Sequence, residues 1–235
     1  MTSRKKIFYI TLTNEGYIDY TENLLNSIIE NKCNIDLNIY TLDDKSFNHF
    51  KDKVNTIPLG TVDNNITKFT HQTDDNFGHL MLSKFEAIHE ALTSQEIVVY
   101  LDGDIVVKKS FEEFILQNLK DRDILFQNDK RPSKPNEIKL CAGFMCINSN
   151  KKMINFFEPT EKVAKKFLKY GTHDQAYINR NKSKFKYGVL PLESFPNGPY
   201  YYANAGNFEP HLIHFNFLIG DVKKNKMKEY GEWYS

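Results

Sequence analysis

Ile97-Val98-Val99-Tyr100-Leu101-Asp102-Gly103-Asp104-Ile105-Val106 decides the fold: five apolar residues run straight into two carboxylates separated by one glycine. A short apolar run bounded by an Asp-Gly turn signal reads as a strand buried on both faces, the kind found in parallel sheets covered by helices. Just upstream, Met81, Phe85, Ile88 and Leu92 recur at helical spacing, so a helix feeds this strand. Farther back, Lys6 to Leu12 reads as a first strand that breaks at Thr13-Asn14-Glu15-Gly16. Leu24, Leu25, Ile28 and Ile29 mark a helix over Tyr20 to Asn31, and Asp36 to Leu42 resumes the strand pattern. Strands alternating with helices predict the α/β fold class, with a mostly parallel, Rossmann-like central sheet flanked by helices. Functional residues are then expected just after strand ends.

Downstream, Ile124 to Gln127 and Leu140 to Ile147 read as strands, and Met153 to Leu168 and Asp174 to Asn179 as helical. Pro191 to Pro210, broken by Pro, Gly and Asn, reads as loop before a short strand at His211 to Phe215 and a basic tail helix. There is no internal repeat and no Gly/Ser linker. A chain of 235 residues is expected to form one domain, 1–235.

The 31 basic and 30 acidic residues nearly cancel, so no global field gathers nucleic acid or anionic membrane. With 40% hydrophobic and 26% charged residues the chain can bury a core. Cys33, Cys141 and Cys146 form no CxxC pair, which argues against a disulfide framework or zinc ribbon and for a reducing, cytoplasmic setting. The apolar stretch after the basic start is too short for a signal peptide or a membrane span. Abundant Asn, Lys, Ile, Phe and Tyr suit an AT-rich genome such as that of a large virus, where the setting becomes the host cytoplasm, a protist or a low-GC bacterium.

Two carboxylates around a glycine at a strand end converge readily on one hard cation, Mg²⁺ or Mn²⁺, with coordination positions left for substrate phosphates. An ordinary Asp-Gly turn is the plain alternative. A haloacid-dehalogenase-type phosphatase also uses an apolar strand leading to Asp-x-Asp, with Asp102 as nucleophile and Asp104 as acid/base. That architecture opens with the motif, however, and expects a second downstream Asp where this chain has Asn225. In the tail, Lys223 and Lys224 sit in the first turn of a helix, against its dipole unless an anion is bound there. Gly220 and the helix N-terminus suit a diphosphate, and His214 can complete a metal shell.

The ordered set Thr13-Asn14-x-Gly16-Tyr17, Tyr100-Leu101-Asp102-Gly103-Asp104, His173-Asp174-Gln175, Leu190-Pro191 to Phe195-Pro196-Asn197-Gly198, and His214-Phe-Asn-Phe-x-x-Gly220-x-x-Lys223-Lys224 to Gly231-x-Trp233 resembles the nucleotide-diphospho-sugar transferases. These are GT-A-fold glycosyltransferases, and the likeness is to their family-77 branch and its large-virus relatives. The resemblance implies a hexosyl- or pentosyltransferase that retains anomeric configuration and uses a nucleotide-sugar donor, UDP-linked by expectation, with a glycan or glycoprotein acceptor. It implies Mn²⁺ or Mg²⁺ held by Asp102, Asp104 and His214, with Gly103 between the acids, and a diphosphate clamp at Gly220, Lys223 and Lys224. Thr11, Thr13, Asn14, Tyr17, Asp43 and Lys84 are the implied nucleotide contacts, although Asn14 and Asp43 are also common turn residues and Lys84 reads equally as a surface lysine. Asp174 and Gln175 are implied beside the donor sugar, the alternative being a helix N-terminus capped by Thr172 or Asp174. Cys141-Ala142 stand where many relatives carry Asn or Ser. A non-catalytic nucleotide-sugar-binding module is the remaining alternative.

Overall fold

The structure is a computed structural model that describes residues 6–59, 77–131, 133 and 138–234. Its first half runs β1 (Ile7–Thr13), α1 (Ile18–Glu30), β2 (Leu37–Thr41), α2 (Asp44–Phe50), β3 (Thr56–Pro58), α3 (Phe77–Ser94) and β4 (Ile97–Leu101). It continues through β5 (Ile105–Val107), α4 (Glu112–Leu119), β6 (Ile124–Asn128), β7 (Leu140–Asn148), α5 (Lys151–Phe157), α6 (Glu161–Ala164) and α7 (Asp174–Asn181). The last elements are β8 (Tyr187–Leu190), α8 (Gly198–Asn204), β9 (Leu212–His214) and α9 (Gly220–Glu229).

Seven strands form one sheet in the order β3-β2-β1-β4-β7-β6-β8. β1 pairs in parallel with β2 and β4, and β6 with β8; β7 alone runs against its two neighbours. The expected mostly parallel α/β sheet is therefore present, with one reversed strand that a connection without a crossover helix permits. Alternate residues of β4 feed two cores. Val98 and Tyr100 pack with Phe85, Ile88 and Phe157 on the α3/α5 face, while Val99 and Leu101 pack with Leu24, Phe111 and Ile115 on the α1/α4 face. Two-sided burial is why this strand reads as an unbroken apolar run.

β5 and β9 form a separate antiparallel ribbon in which Ile105 pairs with His214. The strand expected at His211 to Phe215 thus exists but lies outside the main sheet, and it brings the imidazole next to the Asp-Gly-Asp turn. The helix expected over Met153 to Leu168 is interrupted. α5 stops at Phe157, where Glu158 is forced extended (ψ 125°) before Pro159, and Thr160 caps a new start at α6. The segment expected as loop, Pro191 to Pro210, contains α8, begun by Asn197, whose side chain accepts from the Tyr200 N–H at 3.0 Å. The polar stretch Thr61 to Asn76 lies outside the described residues, and Asp129 to Glu137 is described only at 129–131 and 133. Among the described residues no helix is long and apolar enough to cross a membrane.

Candidate active site

β4 ends where the Asp102 N–H donates to Gly143 O (2.8 Å) and the Ile105 N–H donates back to Asp102 O (3.1 Å), fixing a turn that aims both carboxylates into one cleft. Asp102 Oδ1 accepts from Tyr100 Oη (2.9 Å) and Lys84 Nζ (3.1 Å). Asp104 Oδ1 lies 3.1 Å from His214 Nε2, its Oδ2 pairs with Lys223 Nζ, and Asp102 Oδ2 is 3.9 Å from the same imidazole nitrogen. The ligand atoms of Asp102, Asp104 and His214 all lie within 4.8 Å of one another.

A divalent ion fits this arrangement by shape as well as by donor chemistry. A Cβ on Gly143 of β7 would stand 2.5 Å from Asp102 Oδ2 and 2.3 Å from His214 Cε1, so the absence of a side chain there is what lets the two groups converge. Two carboxylates and one imidazole suit Mn²⁺ or Mg²⁺. The electrostatics are those of a charged site held in a buried setting. Burial opposes ionisation of Asp104, but Lys223 and His214 outweigh it and hold the carboxyl well below its ordinary range. Burial likewise works against a charged His214, and the Asp104 carboxylate prevails, raising the imidazole well above its usual value. The third position is filled by an imidazole and not by the downstream carboxylate a phosphatase arrangement requires, so the phosphatase reading is set aside.

The cleft encloses about 500 Å³, in the range of small-ligand sites. Thr13, Asn14, Tyr17, Lys84, Gly103 and Lys223 line it together with the metal candidates, as do Asp174 and Gln175. Lys84 is no surface lysine: it is 4% exposed, bridges Asp102 (3.1 Å) and Asp174 (2.9 Å), and lies 4.4 Å from the centre of the Tyr100 ring. Burial would discharge it, and the two carboxylates keep its pKa well above the ordinary lysine value. Neither Thr172 nor Asp174 makes the α7 cap, because His173 accepts from the Ala176 N–H (3.3 Å). Asp174 Oδ1 instead accepts from the Gln175 N–H (2.7 Å).

Other expected residues are not brought into the cleft. Thr11 is buried within β1, and its hydroxyl finds no partner among the described residues. Asp43 caps α2 through the Ser46 N–H and accepts from the Glu15 N–H, both at 2.7 Å, so its two oxygens serve the backbone. Lys224 turns away to Asp19 (2.7 Å) and lies over the Trp233 ring. Gly220 takes a left-handed φ of +54° with open space around it, and its carbonyl accepts from Tyr20 Oη (2.9 Å). Lys223 and Lys224 sit on carboxylates, which resolves their opposition to the α9 dipole within the chain itself.

Asp129, just after β6, is a further cleft carboxylate that sequence reasoning passed over. It accepts from Asn216 Nδ2 (2.8 Å), Gln175 Nε2 (2.8 Å) and Lys139 Nζ (3.1 Å). Its signal was the one used for Asp102, a carboxylate directly after an apolar strand. Gly143 announced itself as an isolated glycine inside a strand pattern.

The sequence pattern of the family described as nucleotide-diphospho-sugar transferase matches residues 36–229. Among curated proteins the chain is similar to a UDP-galactose:fucoside alpha-3-galactosyltransferase of Dictyostelium discoideum, with 27% identity over 98% of this chain and 44% of that protein. The chain thus spans less than half the length of that relative. Among solved structures, the galactosyltransferase LgtC in complex with donor and acceptor sugar analogues superposes with a TM-score of 0.65 at 14% identity, covering 97% of this chain and 95% of that one. A glycosyltransferase involved in glycosylation of the major capsid of PBCV-1 superposes with a TM-score of 0.58 at 12% identity, covering 95% and 98%. These two likenesses establish the GT-A fold.

Proposed function

Because the chain belongs to the nucleotide-diphospho-sugar transferase family, we propose that it is a metal-dependent, retaining glycosyltransferase. It moves one hexosyl or pentosyl unit from a nucleotide-diphosphate sugar, with UDP as carrier, to an acceptor hydroxyl on a glycan or glycoprotein. The observation that carries this reading is the convergence of Asp102, Asp104 and His214 on one point, flanked by the buried Lys84 and the half-buried Lys223.

Breaking a sugar–phosphate bond leaves negative charge on the departing diphosphate while positive charge grows on the sugar ring. A divalent ion held by Asp102, Asp104 and His214 supplies charge stabilisation to the diphosphate. Lys223, next to Asp104 in the first turn of α9, neutralises the rest of that charge. Thr13, Asn14 and Tyr17 face the nucleotide end. Asp174 and Gln175 face the sugar: the carboxylate orients hydroxyls and the amide fixes the ring near its anomeric carbon.

The hydrogen bonding supports a front-face course over a covalent one. Both oxygens of Asp174 are taken, by Lys84 and by the Gln175 N–H. Gln175 Oε1 accepts from the Ala142 N–H (3.2 Å), and its amide nitrogen donates to Asp129. Asp174, the carboxylate assigned to the sugar, is thus engaged at both oxygens, and in this reading the departing phosphate takes the acceptor proton.

Thermal stabilisation by a panel of sugar nucleotides with Mn²⁺, followed by anomeric analysis of the transferred product, tests the proposal. A ligand bound only by the folded state raises its melting temperature. Stabilisation by a UDP-sugar that needs Mn²⁺, with an axial donor giving an axial product, is the expected result. Binding without transfer to any acceptor, or to water, reduces the protein to a binding module. An inverted product removes the retaining course.

A further inference from the structure

Gln127, on β6, is fully buried and touches the cleft only through His214. Its amide nitrogen donates to Phe195 O (3.1 Å) and Pro196 O (2.8 Å), which uses both of its hydrogens. The amide oxygen is thereby the atom turned to His214 Nδ1, 2.7 Å away. An amide oxygen can only accept, so Nδ1 must carry the proton. The other neighbour of Nδ1, Cys141 Sγ, lies farther off at 3.6 Å and receives the Gly143 N–H. With Nδ1 held as the donor toward Gln127, Nε2, which faces Asp104 and Asp102, is the nitrogen left available to a divalent ion.

We propose that Gln127 is a positioning residue that keeps a proton on Nδ1 and fixes the ring angle of His214, selecting the tautomer in which Nε2 is the nitrogen that meets a divalent ion. The arrangement closes on itself. Pro196 O accepts from the Gln127 amide and also from the His214 backbone N–H at 3.1 Å, so one carbonyl registers both ends of the imidazole's support. Asn197, next in sequence, bridges His214 and donates from Nδ2 to Asn128 O and Lys130 O, which anchors that carbonyl to the end of β6. A metal-ligating histidine whose second nitrogen donates to a fixed acceptor binds its ion more tightly, and loss of such an acceptor typically costs about 10- to 100-fold in affinity.

The use of this tautomer rests on the metal reading above, so the test has one arm that needs no metal. In protein labelled with ¹⁵N at histidine, a hydrogen-bonded Nδ1–H resonance that disappears in His214→Gln is expected with and without Mg²⁺, and it should exchange rapidly or vanish in Gln127→Leu. A His214 Nδ1 without a proton in the native protein overturns the proposal whatever the ion does. In the second arm, the dissociation constant for Mn²⁺ alone is read from the free-ion paramagnetic resonance signal. Gln127→Leu should weaken binding about 10- to 100-fold, and Gln127→Glu, which keeps an acceptor toward Nδ1, should recover most of it. Because Gln127→Glu also loses donation to two carbonyls, its melting temperature should not recover with it. A merely structural role moves affinity and melting temperature together, so Gln127→Glu performing no better than Gln127→Leu, or Gln127→Leu binding normally, overturns the proposal. Failure of the native protein to bind Mn²⁺ while keeping the Nδ1 proton would sink the metal reading and leave the tautomer assignment standing.

Discussion

β6 has an aspartate at each end, and the two do different work. At its amino end Asp123 accepts from Asn150 Nδ2 (3.0 Å), Lys152 Nζ (2.7 Å) and the Lys186 N–H (2.7 Å), joining the start of α5 to the entry of β8. At its carboxyl end Asp129 has an equally full set of donors. What separates them is company. Asp123 lies in a shallow surface hollow whose other charged residues are mostly cations, Lys120, Arg122, Lys152 and Lys186, whereas Asp129 shares a cleft with Asp102, Asp104 and Asp174. One satisfied buried carboxylate is a latch, while four gathered around Lys84, Lys139, Lys223 and an imidazole make a concentrated charged cluster of the kind found at ligand sites.

Substitutions at the two ends should separate cleanly. Asp104→Ala is expected to take Mn²⁺-supported UDP binding below detection by calorimetry, a loss of more than about 100-fold since a direct ligand is removed; unchanged affinity breaks the assignment of the cleft cluster. Gln175→Ala should leave UDP affinity near native and slow transfer about 100-fold in single-turnover measurements. Loss of nucleotide binding instead would move Gln175 to the wrong side of the cleft. Gly143→Ala adds one methyl group with no charge, yet it should weaken Mn²⁺ binding about tenfold while costing about 1–3 kcal/mol in chemical denaturation. If only stability falls, the convergence of Asp102 and His214 does not depend on that cradle.

Asp123→Asn has the smallest expected effect on chemistry, with UDP affinity unchanged and a stability loss of about 1–3 kcal/mol at neutral pH. Burial pushes the Asp123 carboxyl up, but Lys152 and the Lys186 N–H outweigh it and the folded-state value is lowered. A carboxyl whose folded value is depressed contributes stability above its unfolded value and loses it as pH falls through the folded one. The gap between native and Asp123→Asn proteins should therefore be full above about pH 4 and close as the solution is acidified below it. A gap that persists in acid would show the latch to be packing and not charge.

The sheet was legible because its strands are buried on both faces, and continuous apolar runs such as Ile97 to Leu101 survive as signals without neighbours. The acids were legible because they follow such a run directly. Lys84 was half-legible: its place on the edge of an apolar helix face was visible, but the two carboxylates that hold it charged inside the protein come from β4 and α7. Asp43 was ambiguous because a cap and a ligand contact demand the same residue type after a strand, and the structure shows the cap. Gln127 was silent, since its use depends on two carbonyls and an imidazole all distant in sequence. The helix α8 hid behind Pro and Gly, which read as breakers although Pro is welcome in a first turn.

The β5–β9 ribbon sets a schedule. Asp102 and Asp104 emerge from the ribosome well before His214 and Lys223, which follow only as β9 and α9 are synthesised. A nascent chain can build β1, β2 and β4 early, but the Asp102, Asp104 and His214 cluster is complete only once β9 has been translated. A chain that stops before β9 would therefore lack the Asp102, Asp104 and His214 cluster while still carrying most of the sheet.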